Sequence, residues 1–328
     1  MTQQIVLVTG VSGYLGLHVA KALIERGYQV RGTVRSLSKE PSVREALGVT
    51  DGSLSFAECD LTSDQGWKEA FTNVHALIHV ASPFILKEPK DEQEYLKPAV
   101  EGTLRVMQFA RDARIKKVVA TSTYLTMAGH MTSGSFGPGD FTPFDDPTIN
   151  AYIRSKIAAE QALWDFVRRQ NAEMRVSTIH PGAILGPPLG KSDAGTSVST
   201  ISAMISGSTP GIPPISVPMV DVRDVAEAHV LALEFEGANN KRHVAAHSEP
   251  ISYLEVATTL RSAGYSKVPG KEIPEGLIRV FGIFNRELRS MKAFLGKSVH
   301  ADTSQTTTDL NWSPRPISET ILDTAKAL

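Results

Sequence analysis

The chain opens on an unbroken apolar run, Ile5-Val6-Leu7-Val8, that ends in Thr9-Gly10. A run without alternation is buried on both faces, as strands inside a parallel sheet are. From Leu15 to Ile24 the apolar positions shift to helical spacing, Gly27 stops the helix, and Tyr28 to Val34 resumes the strand pattern. The alternation predicts further strands near Leu54–Glu58, Ala76–Val80, Lys117–Thr121 and Arg175–Ile179, with helices near Asp91–Arg111 and Ala151–Gln170. Strand and helix in repetition, with apolar strands, describe an α/β fold: a doubly wound parallel sheet with helices on both faces.

After His180-Pro181-Gly182 the pattern loosens, and the chain is rich in Gly, Pro and Ser to about Pro218. Short strands are expected near Ser216–Val222 and His243–Ala246, and helices at Arg223–Glu236, Tyr253–Ala263, Glu275–Leu295 and Ile317–Ala327. The expected division is a sheet domain over 1–180 and a smaller, irregular substrate-binding lobe over 181–328 that returns some elements to the first.

Composition narrows the partners. The 34 basic and 35 acidic side chains leave a net charge of −1, which offers no attraction to nucleic acid or an anionic membrane. Cys59 is the single cysteine, so no internal disulfide can form. With no apolar run near the roughly 18 residues of a membrane span, and no signal-like start, the expectation is a cytoplasmic protein without a membrane or nucleic-acid partner.

Between the first strand and first helix lies Thr9-Gly10-Val11-Ser12-Gly13-Tyr14-Leu15-Gly16. Glycines at this junction let backbone N–H groups approach a pyrophosphate, and the helix N-terminus adds its positive dipole end. A tight turn alone is the plainer reading, but the placement after a buried strand favours a dinucleotide loop built from Gly10, Ser12, Gly13, Tyr14, Leu15 and Gly16. The TGxxGxxG spacing resembles the glycine motif of the short-chain dehydrogenase/reductases, and the chain length their extended branch, which implies a Rossmann fold.

The end of the second strand tells between nicotinamide cofactors. NAD-binding sheets place an acid there for the ribose hydroxyls, whereas this chain reads Arg31-Gly32-Thr33-Val34-Arg35-Ser36, then Lys39. A guanidinium at Arg35 suits the 2′-phosphate of NADP, with Lys39 as a second cation, so the expected cofactor is NADPH/NADP+. The resemblance further implies cofactor contacts from Asp60-Leu61 after the third strand and Val80-Ala81-Ser82 after the fourth. It implies the same for Pro181, Ala183 and Ile184 in the His180-to-Pro187 loop.

Tyr152 and Lys156 stand four apart in Tyr-Ile-Arg-Ser-Lys and share one helix face. An ammonium beside a phenol is expected to lower its pKa from about 10, easing proton exchange with a carbonyl or alcohol. A lone YxxxK is usually an amphipathic surface; behind a glycine loop and the hydroxyl run Thr121-Ser122-Thr123-Tyr124 it reads as chemistry. The family's end-of-strand hydroxyl falls on Thr123, expected to hydrogen-bond the substrate oxygen while Tyr152 gives a proton. Thr121 and Ser122 are read as structural, His180 as no general base, and Asp224 as a helix cap. The family's helical Asn relay is absent, since the chain has Ala99-Val100-Glu101-Gly102 there.

VRGTVRS, HVASPF and PAVEGT resemble most the dihydroflavonol 4-reductase and aldehyde (carbonyl) reductase group. That resemblance implies NADPH-dependent reduction of a ketone or aldehyde, bulky or aromatic, by a monomer or homodimer. Phe84, Leu125, Met127, Phe136 and Phe141 are the expected pocket wall. A steroid-type hydroxy dehydrogenase/isomerase, a nucleotide-sugar epimerase and an NADP-sensing regulator without chemistry remain alternatives.

Overall fold

A computed structural model describes residues 4–82, 91–169, 173–190, 195–281 and 294–328, without the side chains of 279–281. Its centre is a sheet of seven strands: β1 Ile5–Thr9, β2 Gln29–Val34, β3 Leu54–Glu58, β4 Ala76–His79, β5 Lys117–Thr121, β6 Arg175–Pro181 and β7 Arg242–Ala245. They run in the order β3-β2-β1-β4-β5-β6-β7, every pair parallel. The order reverses between β1 and β4, and open sheets of this kind bind ligands beyond the strand ends at such a switch point.

The period of two along each strand divides the core into two layers. Val6 and Val8 of β1 and Ile78 of β4 pack with the helices α1 (Tyr14–Glu25) and α4 (Val222–Glu234). Leu7 and Leu77 face the other way, with Val106 and Met107 of α2 (Gln93–Asp112) and Leu163 and Phe166 of α3 (Ala151–Arg169). Side chains buried this fully contribute about 1.5–3 kcal/mol each. The apolar runs are continuous because both faces are covered.

Several late elements return to this sheet. Residues Arg242–Ala245 extend it as the edge strand β7 beside β6, and α4 lies against α1. Asp221, not Asp224, caps α4 by accepting Arg223 N–H at 2.8 Å. Asp224 instead accepts three bonds from Arg315, at 2.8, 2.8 and 2.9 Å, because its side chain faces the segment before the last helix.

A second core gathers helices Gly195–Ser206, Tyr253–Ser262 and Ile317–Lys326 around Met204, Val256 and Ile321. The expected helix at Glu275–Leu295 is present over Glu275–Phe281; residues 282–293 lie outside the described residues, and Phe294 and Leu295 stand in a turn. Among the described residues, no helix is long and apolar enough to cross a membrane.

Candidate active site

The carboxyl ends of β1, β4, β5 and β6 converge, and local chemistry fixes each. Gly10 holds φ +69°, a conformation that suits glycine, and a Cβ there would stand 3.1 Å from Ala81 Cα. A Cβ on Gly16 would stand 2.3 Å from the Gly10 carbonyl oxygen, so α1 can start this close to β1 only with glycine. No side chain caps α1. Its first turn therefore has N–H groups that no capping side chain satisfies, at the positive end of the helix dipole. Gly32 is a further requirement that sequence reasoning missed: a Cβ there would lie 2.3 Å from Val11 Cγ1, so β2 must be bare where the glycine loop crosses it.

Thr9 joins the loop to β4. Its hydroxyl accepts Ala81 N–H at 3.0 Å and lies 2.8 Å from His79 Nδ1. Burial lowers the His79 pKa to about 4, so the imidazole is neutral at neutral pH. Three residues after His79, Ser82 Oγ accepts a hydrogen bond from Lys156 Nζ at 2.6 Å. Glycine loop, β4 end and α3 are therefore linked in one chain of contacts.

Lys156 Nζ also lies 5.5 Å from the centroid of the Tyr152 ring. The expected acidified phenol is not what this arrangement gives: burial raises Tyr152 to about 12 and lowers Lys156 to about 8. Removal of water penalises both charged forms.

Thr123 is 8% exposed and its hydroxyl accepts Leu125 N–H at 3.4 Å, at the start of the short helix Leu125–Ala128, which packs on α3. Its neighbours are structural: Thr121 Oγ1 lies 2.7 Å from His229 Nε2, and Ser122 donates to Glu160 at 2.7 Å. His180 is fully buried, with Nδ1 donating to the Thr123 carbonyl at 3.1 Å.

Beyond the end of β2 Arg35 and Lys39 are both exposed. Asp60 gives its carboxylate to Thr62 N–H and hydroxyl at 2.7 and 2.6 Å, and Leu61 meets Gly102, where a Cβ would lie 3.0 Å from Leu61 Cβ. Tyr14 spends its hydroxyl on the Gly186 carbonyl at 2.8 Å, which ties the glycine helix to the loop after β6. Pro181, the last residue of β6, is buried, while Ala183 and Ile184 in the short strand Ala183–Leu185 are half-buried and pair with Met219 and Val220. Val80 and Ala81 are half-buried beside the glycines.

The expected pocket wall is only partly realised. Met127 and Phe136 are 0% and 1% exposed, sealed in a cluster with Tyr124, Ile153 and Val299, so they back the core and present no surface to a ligand. Leu125 is buried in the same cluster. Phe141 is exposed and lies 4.3 Å from the Arg242 guanidinium, at the edge strand of the sheet. Phe84 lies outside the described residues.

Known proteins agree with this architecture. A provisionally named NADPH-dependent methylglyoxal reductase of Candida albicans is 31% identical over 279 residues, 78% of this chain and 82% of the relative. A cinnamoyl-CoA reductase of Medicago truncatula is 32% identical over 283 residues, 83% of each chain. The solved structure of Candida albicans Gre2 in complex with NADPH superposes with a TM-score of 0.80, at 26% identity over 99% of this chain and 98% of that one. The profile of the NAD dependent epimerase/dehydratase family matches residues 6–246, and the chain belongs to that family.

Proposed function

We propose that the protein is an NADPH-dependent reductase of ketones and aldehydes in which Tyr152 gives the proton to the carbonyl oxygen. The observation that carries this reading is the joining of Lys156 to Ser82 at the end of β4. That bond brings the Tyr152 helix to the glycine cradle. The relatives named above as NADPH-dependent methylglyoxal reductase and cinnamoyl-CoA reductase support the same chemistry.

Gly10 and Gly16 keep the end of β1 and the first turn of α1 free of side chains, as a dinucleotide bound on backbone N–H groups requires. Gly10, Ser12, Gly13, Tyr14, Leu15 and Gly16 would hold the pyrophosphate on backbone N–H groups. Asp60 and Leu61 would flank the adenine, and Val80, Ala81, Ser82, Pro181, Ala183 and Ile184 the nicotinamide half. Arg35 and Lys39 would hold the 2′-phosphate, where an arginine fork pairs with phosphate oxygens. When bound, NADPH supplies a hydride for the carbonyl carbon.

The residues of this chain manage the oxygen. As negative charge develops there, the Thr123 hydroxyl donates a hydrogen bond to it and Tyr152 transfers the phenolic proton. A phenol held near pKa 12 by burial stays protonated at neutral pH, as a donor must. Lys156, once its ammonium is beside tyrosinate, stabilises the charge left behind. Leu125 backs the pocket.

The reading includes the two-lobe division at about residue 180, a cytoplasmic location, and a monomer or homodimer that takes a small molecule rather than nucleic acid or membrane. Absorbance of reduced nicotinamide, followed on mixing with NADPH or NADH and a panel of ketones, aldehydes and nucleotide sugars, tests it. Oxidation of NADPH by carbonyls is the expected result; binding without turnover on any of them would overturn it.

A further inference from the structure

The helix that bears Tyr152 and Lys156 carries a third inward group. Glu160 is one turn beyond Lys156, on the same face, and only 7% exposed. One carboxylate oxygen accepts the Ser122 hydroxyl at 2.7 Å and the other accepts Arg242 Nε at 2.7 Å. His180 Nε2 lies 3.4 Å from the second oxygen.

Both arms lead to functional segments. Through Ser122, Glu160 grips the residue before Thr123. His180, donating from Nδ1 to the Thr123 carbonyl, and Thr126, donating to the same carbonyl at 2.9 Å, hold the residue itself. Through Arg242, whose Nη1 donates to the carbonyls of Pro138 and Asp140 at 2.9 and 2.6 Å, it grips the loop that ends in Phe141. Phe141 closes over the guanidinium at 4.3 Å. A buried ion pair is weak evidence for stability, since its desolvation offsets much of its attraction. Here it joins three separate segments of chain.

We infer that Glu160 is a positioning residue: bonded at once to Ser122 and Arg242, it sets the Thr123 hydroxyl relative to Tyr152 and docks the Pro138–Phe141 loop to the same helix. The catalytic consequence rests on the reductase reading above; the mechanical coupling does not. Glutamine keeps the shape, its oxygen accepting Arg242 Nε and its amide donating to the Ser122 hydroxyl, but it removes the charge that pairs with the buried guanidinium.

The test uses Glu160→Gln, Arg242→Lys and the double variant Glu160→Leu/Arg242→Met, which replaces the ion pair with apolar volume. Hydrogen exchange should quicken in both single variants at Thr123–Ala128 and Gly137–Thr142 while the glycine loop is unchanged. In Glu160→Gln, kcat should fall about tenfold to a hundredfold, as displacement of a reacting group by an ångström does, with NADPH affinity nearly unaltered. The double variant should regain wild-type melting temperature yet keep the low kcat. Unchanged exchange in those two segments, or recovery of kcat together with stability, would overturn the proposal. If the wild-type protein reduces no carbonyl, the reductase reading falls while the exchange arm still decides the coupling.

Discussion

Lys156 Nζ bonds Ser82 Oγ at 2.6 Å and lies 5.5 Å from the ring of Tyr152, so one ammonium holds the end of β4 and faces the proposed proton donor. Tyr152→Phe keeps the ring and its packing but removes the proton. Turnover should drop by about 100-fold to 10,000-fold, as loss of a general acid does, with NADPH affinity within a few-fold of wild type. Steady-state rates beside cofactor fluorescence titration check both halves, and a variant with normal kcat would remove Tyr152 from the reaction.

Burial of Lys156 has a thermodynamic signature. Its pKa falls from the ordinary 10.5 to about 8, so the unfolded chain binds the extra proton between those values. The penalty for keeping it charged is complete below pH 8 and is relieved as pH rises to 10.5, on the order of 3 kcal/mol at neutral pH. Lys156→Met should therefore raise the melting temperature of the cofactor-free protein at pH 7 and lose most of that gain at pH 10. Equal shifts at the two pH values would mean that the ammonium is not desolvated.

Arg35→Ala should weaken NADPH by about tenfold to a hundredfold, the scale of one charge-assisted contact to phosphate, and leave NADH nearly unchanged. Parallel titrations with the two cofactors read the ratio directly. A variant that loses both equally would show that the guanidinium does not meet the 2′-phosphate.

Gly16→Ala places its methyl carbon 2.3 Å from the Gly10 carbonyl, a backbone atom that cannot rotate aside. We expect a loss of about 1–3 kcal/mol in urea unfolding, the usual cost of overpacking, and little remaining NADPH affinity. Gly27→Ala is the control for stability alone: it has open space around it, and its φ of +82° costs backbone strain without touching the cradle.

The strand-and-helix order was legible because continuous apolar runs occur where a strand is covered twice, as at β1, where Val6 and Val8 face one layer of helices and Leu7 the other. Tyr152 and Lys156 could be paired for the same kind of reason, since four residues along a helix return to one face. Glu160 continues that spacing, and its place beyond Lys156 could have flagged it. Arg242 gave no such sign: 82 residues separate it from Glu160, and only the closing of β7 against β6 brings them to 2.7 Å.

Local periodicity along the chain thus determined the elements, the glycine loop and the spacing of Tyr152 and Lys156. Tertiary packing decided the rest. It put Met127 and Phe136 into the core, turned Asp224 from a helix cap to a partner of Arg315, and set the direction of the Tyr152 and Lys156 pKa shifts. Periodicity reports which face a residue takes. How much water is removed around a charge, and which distant group meets it, depends on elements far apart in sequence.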